Sequence, residues 1–147
     1  MIRRAVPSDL RAVMRIERAC FGSERFSTQT VLALIAGEDS FTLIAEEEDD
    51  VVGAAMCMFS SESGEGKIAS IAVLEEHRGR GIGKALLKSC EESLRSLGLS
   101  LFTLEVDVDN EAAVNLYTSN GYLINGVIEG FYSDGRDAYS MSKSAVK

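Results

Sequence analysis

The chain has 147 residues, an ordinary globular composition and a formal net charge of −8. This length predicts one domain over residues 1–147 with a single sizeable hydrophobic core. The negative charge argues against non-specific nucleic-acid binding, and it is compatible with simple solubility or with a cationic acceptor such as an amine. The apolar runs are strand-length and the N-terminus lacks the apolar segment of a signal peptide, so we expect a cytoplasmic protein with no membrane partner.

The cysteines and the histidine limit the metal and disulfide chemistry. Cys20, Cys57 and Cys90 each fall in an apolar segment. Their odd number and wide spacing favour buried free thiols in a reducing cytosol over disulfides or zinc ligands. With His77 as the single histidine, we expect no metal site.

The first third of the chain predicts a strand, two helices and two more strands. Residues 2–5 form a short strand, and Pro7 is typical of a helix start. One face of this first helix recurs at helical spacing and consists of Leu10, Val13, Met14, Glu17 and Cys20, all of them apolar except Glu17. The second helix is expected to start at Ser27 and end at Gly37, with Val31, Leu32, Leu34 and Ile35 inside. Strands over 41–47 and 51–59 follow.

Residues 67–97 predict a strand, a glycine-rich turn and a long helix. The strand, 68–74, is nearly all apolar, as expected for a strand covered on both faces. After a polar turn comes the run Gly79-Arg80-Gly81-Ile82-Gly83-Lys84. The helix keeps its apolar residues at helical spacing, namely Ile82, Leu86, Leu87, Cys90, Leu94 and Leu97, and Gly98 supplies the stop signal.

This turn has the chemistry of a pyrophosphate site. A helix begins with backbone N–H groups that have no partner, and its dipole favours an anion there. Gly79, Gly81 and Gly83 leave no side chain to keep a phosphate from those amides, and positive charge comes from Arg78, Arg80 and Lys84. The spacing fits neither the dinucleotide-binding glycine motif nor the P-loop. A plain surface turn with solvated arginines remains an alternative.

The last third predicts a strand, a short helix and two strands. Residues 101–108 alternate between apolar and polar side chains, as in a half-buried strand. Asp109 or Asn110 caps a helix over 111–119. Strands over 122–128 and 138–143 enclose a loop with Phe131 and Tyr132. The elements together predict one α+β domain with a mixed sheet.

Three polar residues in this last third suggest proton transfer. Glu105 lies in a strand between apolar neighbours, where a carboxylate is costly without a partner or a function. Asn110 and Tyr117 are about two helical turns apart and share a face of the short helix. Glu105 and Tyr117 can act as a base and an acid. Alternatively, Glu105 pairs with an arginine across the sheet and Tyr117 is a core residue with its hydroxyl at the surface.

The motif Arg78-x-x-Gly81-x-Gly83 resembles the acetyl-CoA motif of the GCN5-related N-acetyltransferase (GNAT) superfamily. The element order β-α-α-β-β-β-α-β-α-β-β, which covers nearly the whole chain, is also that of this superfamily. The resemblance implies the GNAT fold, a mixed and mostly antiparallel twisted sheet flanked by helices. It also implies acetyl-CoA as co-substrate and no metal. The acetyl-CoA site implied is made of Ile71, Ala72, Val73, Arg78, Gly79, Arg80, Gly81, Ile82, Gly83, Lys84, Asn110 and Tyr117.

Within the superfamily, Leu104-Glu105-Val106 followed by Asn110-Glu111-Ala112-Ala113, Leu116-Tyr117 and Gly121-Tyr122 resembles protein amino-terminal acetyltransferases, including those of a ribosomal protein. The resemblance implies that Glu105 is the base and Tyr117 the acid. It also implies that a peptide terminus contacts Glu24, Phe26, Phe131 and Tyr132. The chain departs from its relatives at Phe131, where they usually have tyrosine, and at Lys67, where several have histidine as a second base. The relatives' leucine-proline pair before the second helix is also absent.

The expected reaction is direct acetyl transfer from acetyl-CoA to the α-amine of a protein or peptide, with ribosomes or nascent chains as candidate partners. Since no cysteine lies in either motif, a covalent acyl-cysteine route is disfavoured. Two alternatives stay open, namely an acetyltransferase for lysine ε-amines or small-molecule amines, and a non-catalytic acyl-CoA-binding module.

Overall fold

The structure, a computed structural model that describes residues 1–145, is built around one seven-stranded sheet. The strands in chain order are β1 (Ile2–Arg4), β2 (Ser40–Glu47), β3 (Asp50–Ser60), β4 (Glu65–Val73), β5 (Leu101–Asp107), β6 (Leu123–Ile128) and β7 (Ala138–Ser144). The α-helices are α1 (Leu10–Phe21), α2 (Thr28–Ala36), α3 (Ile82–Ser96) and α4 (Glu111–Ser119). The predicted order of strands and α-helices is confirmed.

The spatial order of the strands is β1-β2-β3-β4-β5-β7-β6. Only β4 and β5 run parallel, and the other neighbouring strands are antiparallel. The predicted α+β class with a mixed, mostly antiparallel sheet is therefore confirmed. The chain crosses between β4 and β5 through α3, the connection that a parallel pair requires.

Two hydrophobic clusters lie on opposite faces of the sheet. Alternate residues of β3 point to the two faces, so Ala54 and Met56 belong to the cluster under α1 and α2, and Ala55 and Cys57 to the cluster under α3 and α4. The amphipathic pattern of each helix thus places its apolar stripe on the sheet.

Several details of the helices confirm the sequence predictions and others correct them. Ser27 caps α2 by accepting a hydrogen bond from the Thr30 amide at 3.1 Å, as predicted. Leu32 was expected inside but is 40% exposed, and Leu97, which follows the last residue of α3, is 49% exposed. Cys57 and Cys90 are buried free thiols as expected, whereas Cys20 is only half-buried.

The course of β4 opens the sheet at its centre. β4 pairs with β5 over three residues only, from Glu65 opposite Leu101 to Lys67 opposite Thr103. On its other side, the register with β3 shifts between Ser70 and Ile68, which leaves Ala69 as a bulge. The expectation of a strand covered on both faces is therefore wrong for residues 69–71, which are half-buried because they border a cavity.

No helix within residues 1–145 is both long enough and apolar enough to cross a membrane.

A buried carboxylate joins α3 to the far strands of the sheet. Glu91 is 4% exposed, and its Oε2 accepts a hydrogen bond from the Tyr122 hydroxyl at 2.8 Å. Lys143 Nζ lies 3.1 Å from both carboxylate oxygens. Lys143 compensates the charge, and Tyr122 fills the remaining acceptor position, as a buried ion requires.

We predict that Tyr122→Phe lowers the free energy of unfolding by about 1–3 kcal/mol, because the ionised Glu91 loses a buried hydrogen-bond donor. Urea unfolding measures this change. The control is Tyr139→Phe, since no hydrogen bond of the Tyr139 hydroxyl is present in residues 1–145; its effect should stay within about 0.5 kcal/mol. Equal stability of Tyr122→Phe and the wild type would contradict a stabilising role for this bond.

Candidate active site

A cavity of about 730 Å³ opens where β4 and β5 separate. Its walls come from α1, the α1–α2 loop, β4, β5, α4 and the β6–β7 loop. Eight of the predicted site residues line it, namely Glu24, Phe26, Ile71, Glu105, Asn110, Tyr117, Phe131 and Tyr132. Segments that are far apart in sequence thus line one open cleft.

Glu105 and Lys67 form an ion pair in this cavity. Lys67 Nζ lies 2.6 Å from Glu105 Oε1, and the side chains are 39% and 17% exposed. The partner is a lysine of the neighbouring strand, not the arginine considered from the sequence. No hydrogen bond or ion pair within residues 1–145 involves Oε2 of Glu105, so this oxygen is the one that can accept a proton from a ligand or a water.

Tyr117 lies on α4 with its ring in the core and borders the cavity. It is 6% exposed, and its ring meets that of Tyr122 edge-to-face with centroids 5.8 Å apart. Burial raises the pKa of the Tyr117 hydroxyl well above its ordinary value, and the nearby Cys90 and Cys57 add to the rise. The hydroxyl therefore keeps its proton at neutral pH and can donate it to a stronger base.

Asn110 caps α4, which decides between the two caps that the sequence left open. Its Oδ1 accepts a hydrogen bond from the Ala113 amide at 3.1 Å. The side-chain amide nitrogen is not needed for the cap. Because Asn110 borders the cavity, that nitrogen is a candidate donor to a ligand.

The glycine turn lies at the end of β4 and outside the cavity. Gly79 and Gly81 have φ of +80° and +81°, and Gly81 is the N-cap residue of α3. The first helical hydrogen bond runs from the Ala85 amide to the Gly81 carbonyl at 3.0 Å, so the amides of residues 82–84 have no helical partner. These amides are thus available to a ligand, and their use as the predicted anion site stays a prediction.

The glycines of the turn differ in their backbone conformation. A Cβ at Gly79 or Gly81 would meet no protein atom within 4 Å, and the left-handed backbone of both positions favours glycine. That these glycines also leave room for a phosphate stays a prediction. Gly83 has no such backbone, and its Cβ would only touch Leu116 Cδ2 at an ordinary 3.6 Å. Its role in admitting a phosphate stays a prediction.

The three basic side chains of the turn differ in their contacts and exposure. Arg78 Nε donates to the Val73 carbonyl at 2.9 Å, so this guanidinium braces the end of β4. Arg80 is paired with Glu47 at 2.9 Å on the surface. Lys84 is exposed on α3. Ala72 and Val73, also predicted for the co-substrate, are buried beside the turn and do not line the cavity.

The α1–α2 loop and the β6–β7 loop meet at the cavity. Glu24, in the α1–α2 loop, accepts hydrogen bonds from the backbone amide of Ser133 at 2.8 Å and from its hydroxyl. In the β6–β7 loop, the rings of Phe131 and Tyr132 meet edge-to-face with centroids 5.0 Å apart. Glu24 therefore connects the two loops.

Arg136 holds the second loop in place, and no sequence pattern identified it. Its guanidinium lies 5.3 Å from the centre of the Tyr132 ring and pairs with Asp107 at the end of β5. It also pairs with Asp134 in its own loop at 2.6 Å. These contacts fix the loop to the strand that carries Glu105.

Cys20 also borders the cavity, although the sequence placed no cysteine in either motif. Its thiol donates to the Val73 carbonyl at 3.5 Å, and burial raises the pKa of the thiol. Since the thiolate is the nucleophile, a raised pKa disfavours an acyl-cysteine route.

Glu17 was missed as a site residue. It is 2% exposed on α1 and borders the cavity. Its only sequence signal is a carboxylate inside the apolar stripe of the first helix.

Among residues 1–145, no group of three His, Cys, Asp or Glu side chains is arranged to hold a metal ion.

The sheet thus opens between its parallel strands, with a helix N-terminus at one end and Glu105, Tyr117 and two loops around the opening, an arrangement that fits an acyltransferase. The model of the Acetyltransferase (GNAT) family matches residues 10–122. The chain belongs to this family, and it is an N-acetyltransferase.

Three relatives illustrate the similarity. The catalytic subunit NAA10 of the N-terminal acetyltransferase A complex of Arabidopsis thaliana is 34% identical over 97% of this chain and 77% of its own. The crystal structure of Ard1 from Thermoplasma volcanium superposes with a TM-score of 0.90 at 28% identity, covering 100% of this chain and 98% of its own. The ribosomal-protein-S18-alanine N-acetyltransferase of Escherichia coli gives 0.88 at 26% identity, with 98% and 92% covered.

The glycine turn yields a matched pair of variants. We predict that Gly81→Ala lowers the free energy of unfolding by about 1–2 kcal/mol, because alanine is strained at a φ of +81°. Gly83→Ala should be neutral or stabilising by up to about 1 kcal/mol, because alanine favours the first turn of a helix. Thermal or urea unfolding of both variants measures the difference. If both lose the same stability, the backbone explanation is wrong.

Proposed function

We propose that this N-acetyltransferase transfers the acetyl group of acetyl-CoA to the α-amine of a protein or peptide N-terminus. The observation that carries the proposal is the cavity between β4 and β5, which has the carboxylate of Glu105 and the phenol of Tyr117 on its walls and is covered by two loops on one side. The relatives support it, because they include named amino-terminal acetyltransferases. We take residues 1–147 as one such domain and place it in the cytoplasm.

Acetyl-CoA fits the end of the site formed by β4 and α3. Its pyrophosphate would take the free amides and the positive charge of the turn, Arg78 to Lys84. The backbone of Ile71, Ala72 and Val73 would hold the pantetheine arm, since β4 has no pairing strand there on the side that faces β5. Asn110 would donate from its amide. Bound acetyl-CoA supplies the thioester carbonyl carbon that an amine attacks.

Glu105 is assigned as the general base. The acceptor arrives as an ammonium ion and must lose a proton before its nitrogen can attack. Oε2 of Glu105 is free to take this proton directly or through a water, while Lys67 holds Oε1 at 2.6 Å and orients the carboxylate. Lys67 then remains the ammonium partner of Glu105 and is not itself a base.

Tyr117 is assigned as the general acid. Attack forms the amide C–N bond and breaks the C–S bond, so the departing thiolate must be protonated. The buried Tyr117 hydroxyl holds its proton at neutral pH, because burial raises its pKa. Two protons leave the acceptor nitrogen in all: Glu105 takes the first before attack and later releases it to solvent, and the second, lost as the C–N bond forms, replaces the proton that Tyr117 donates to the thiolate.

The acceptor end of the site is formed by the two loops. Phe26, Phe131 and Tyr132 offer apolar surface to the first side chains of an extended peptide. Glu24 already accepts two hydrogen bonds from Ser133, so its part is to hold the loops together over the peptide. A nascent chain at the ribosome is the natural source of such a terminus.

The experiment that tests this function measures CoA release with short peptides that differ in their first two residues. Each peptide is also supplied with its α-amine blocked and with an internal lysine. We expect turnover with free termini only. Equal turnover of blocked, lysine-containing peptides would instead establish side-chain acetylation. CoA binding without release across the panel would show a binding module.

We predict that Glu105→Gln lowers kcat/KM by about 100-fold or more and alters the pH dependence of the rate, because the amine loses its proton acceptor. Glu92→Gln, an exposed carboxylate on α3, is the charge-matched control and should leave the rate unchanged. An unchanged pH profile in Glu105→Gln would remove the base assignment.

A further inference from the structure

Glu17 is a buried carboxylate for which the reaction above has no use. It is 2% exposed, and its two oxygens bond to two different walls of the cavity. Oε1 accepts from the backbone amide of Phe26 in the α1–α2 loop at 3.0 Å. Oε2 accepts from the Ser70 hydroxyl on β4 at 3.2 Å.

The surroundings of Glu17 contain no compensating cation. No lysine, arginine or histidine of residues 1–145 forms an ion pair with Glu17, whereas the nearby Glu105 has Lys67. A buried carboxylate without a counter-charge is costly, and a replacement by an apolar side chain would remove that cost. Burial accordingly raises the pKa of Glu17. Its two hydrogen bonds indicate which groups of the cavity wall Glu17 acts on.

The hydrogen bond to Glu17 decides what Ser70 offers to the cavity. A serine hydroxyl has one proton, and in this arrangement the carboxylate takes it. Ser70 is half-buried and borders the cavity, so its oxygen can only accept a hydrogen bond there. Glu17 itself is almost inaccessible to a ligand. It therefore acts on a ligand through the orientation of the Ser70 hydroxyl.

The two walls of the gap then present the same kind of group. Ser70 lies on β4 and Glu105 on β5, the strands that separate after three paired residues. Both residues line the cavity, and the acceptor that each has available is Oγ in Ser70 and Oε2 in Glu105. A protonated amine, with three N–H donors, is the ligand that such a pair of acceptors favours.

We propose that Glu17 is a positioning residue. It holds the Ser70 hydroxyl so that the oxygen accepts a hydrogen bond from the ammonium group of the peptide, opposite Glu105. This inference rests on the proposed function and deepens it. With one N–H bound by Ser70 and another by Glu105, the nitrogen is held between β4 and β5 before and after it loses its proton to Glu105. Ser70 exchanges no proton with the substrate in this scheme.

Three variants test the proposal. In Glu17→Gln the amide oxygen keeps the bond from Phe26, but the amide NH₂ now donates to Ser70, whose proton turns into the cavity and opposes an ammonium ion. The KM for the peptide should rise about tenfold, as expected for one hydrogen bond to a charged group, with the KM for acetyl-CoA unchanged. Ser70→Ala removes the acceptor without adding a donor, and its peptide KM should rise about threefold.

The double variant Glu17→Gln/Ser70→Ala gives the sharpest result. Since Glu17 acts through Ser70, the double variant should equal Ser70→Ala, so that the second substitution rescues part of the first. A purely structural role of Glu17 through the Phe26 loop predicts the opposite, with additive losses. Ser142→Ala, a half-buried serine on β7, serves as the control, and thermal unfolding verifies that each variant is folded.

A binding measurement separates this inference from the proposed function. Calorimetry with the CoA-bound enzyme compares a free-amine peptide with its α-acetylated form, which has no ammonium. Ser70→Ala should weaken binding of the free-amine peptide about threefold and leave the acetylated one unchanged. Equal effects on both peptides, or additive losses in the double variant, would overturn the role of Glu17. If the wild type acetylates no free terminus, the proposed function itself fails.

Discussion

β4 and β5 pair in parallel only from Glu65 to Lys67 on one strand and from Leu101 to Thr103 on the other, and then separate. Past this point the backbone N–H and C=O groups that point into the gap have no strand on that side, whereas the outer edges of β4 and β5 remain paired with β3 and β7. Buried groups of this kind require a partner, and an extended ligand with amide groups can take the place of a strand. The bulge at Ala69 turns residues on both sides of it towards the same opening. The whole site depends on this separation.

The carboxylates around the opening differ in how their charge is compensated. Glu105 has Lys67 at 2.6 Å, and Glu91, on the other face of the sheet, has Lys143 and Tyr122. Glu17 has only hydrogen bonds from neutral groups. A cationic acceptor, as proposed, would bring a positive charge to the side of the cavity that Glu17 borders. Two carboxylates of this chain are thus paired with lysines, and the uncompensated one borders the cavity.

The sequence predicted the element order because its periodicities, caps and glycines are local signals, as for Ser27 and for the turn before α3. The motifs around Glu105 and Tyr117 also identified two walls of the cavity. Glu17 could not be identified, because a carboxylate in an apolar stripe shows only that the position is unusual, and its partners come from distant segments. The separation of β4 from β5 could not be predicted either, because the apolar pattern of a strand does not indicate which neighbouring strand it pairs with or where that pairing ends.

The most direct test of the account is a crystal structure with a bisubstrate analogue, in which CoA is linked through an acetyl group to the α-nitrogen of a peptide. The account predicts that the linking carbonyl lies between β4 and β5, with the peptide nitrogen within hydrogen-bond distance of Ser70 Oγ or Glu105 Oε2. The thioether sulfur should lie beside the Tyr117 hydroxyl. A peptide bound outside the two loops, or a nitrogen remote from both acceptors, would contradict it.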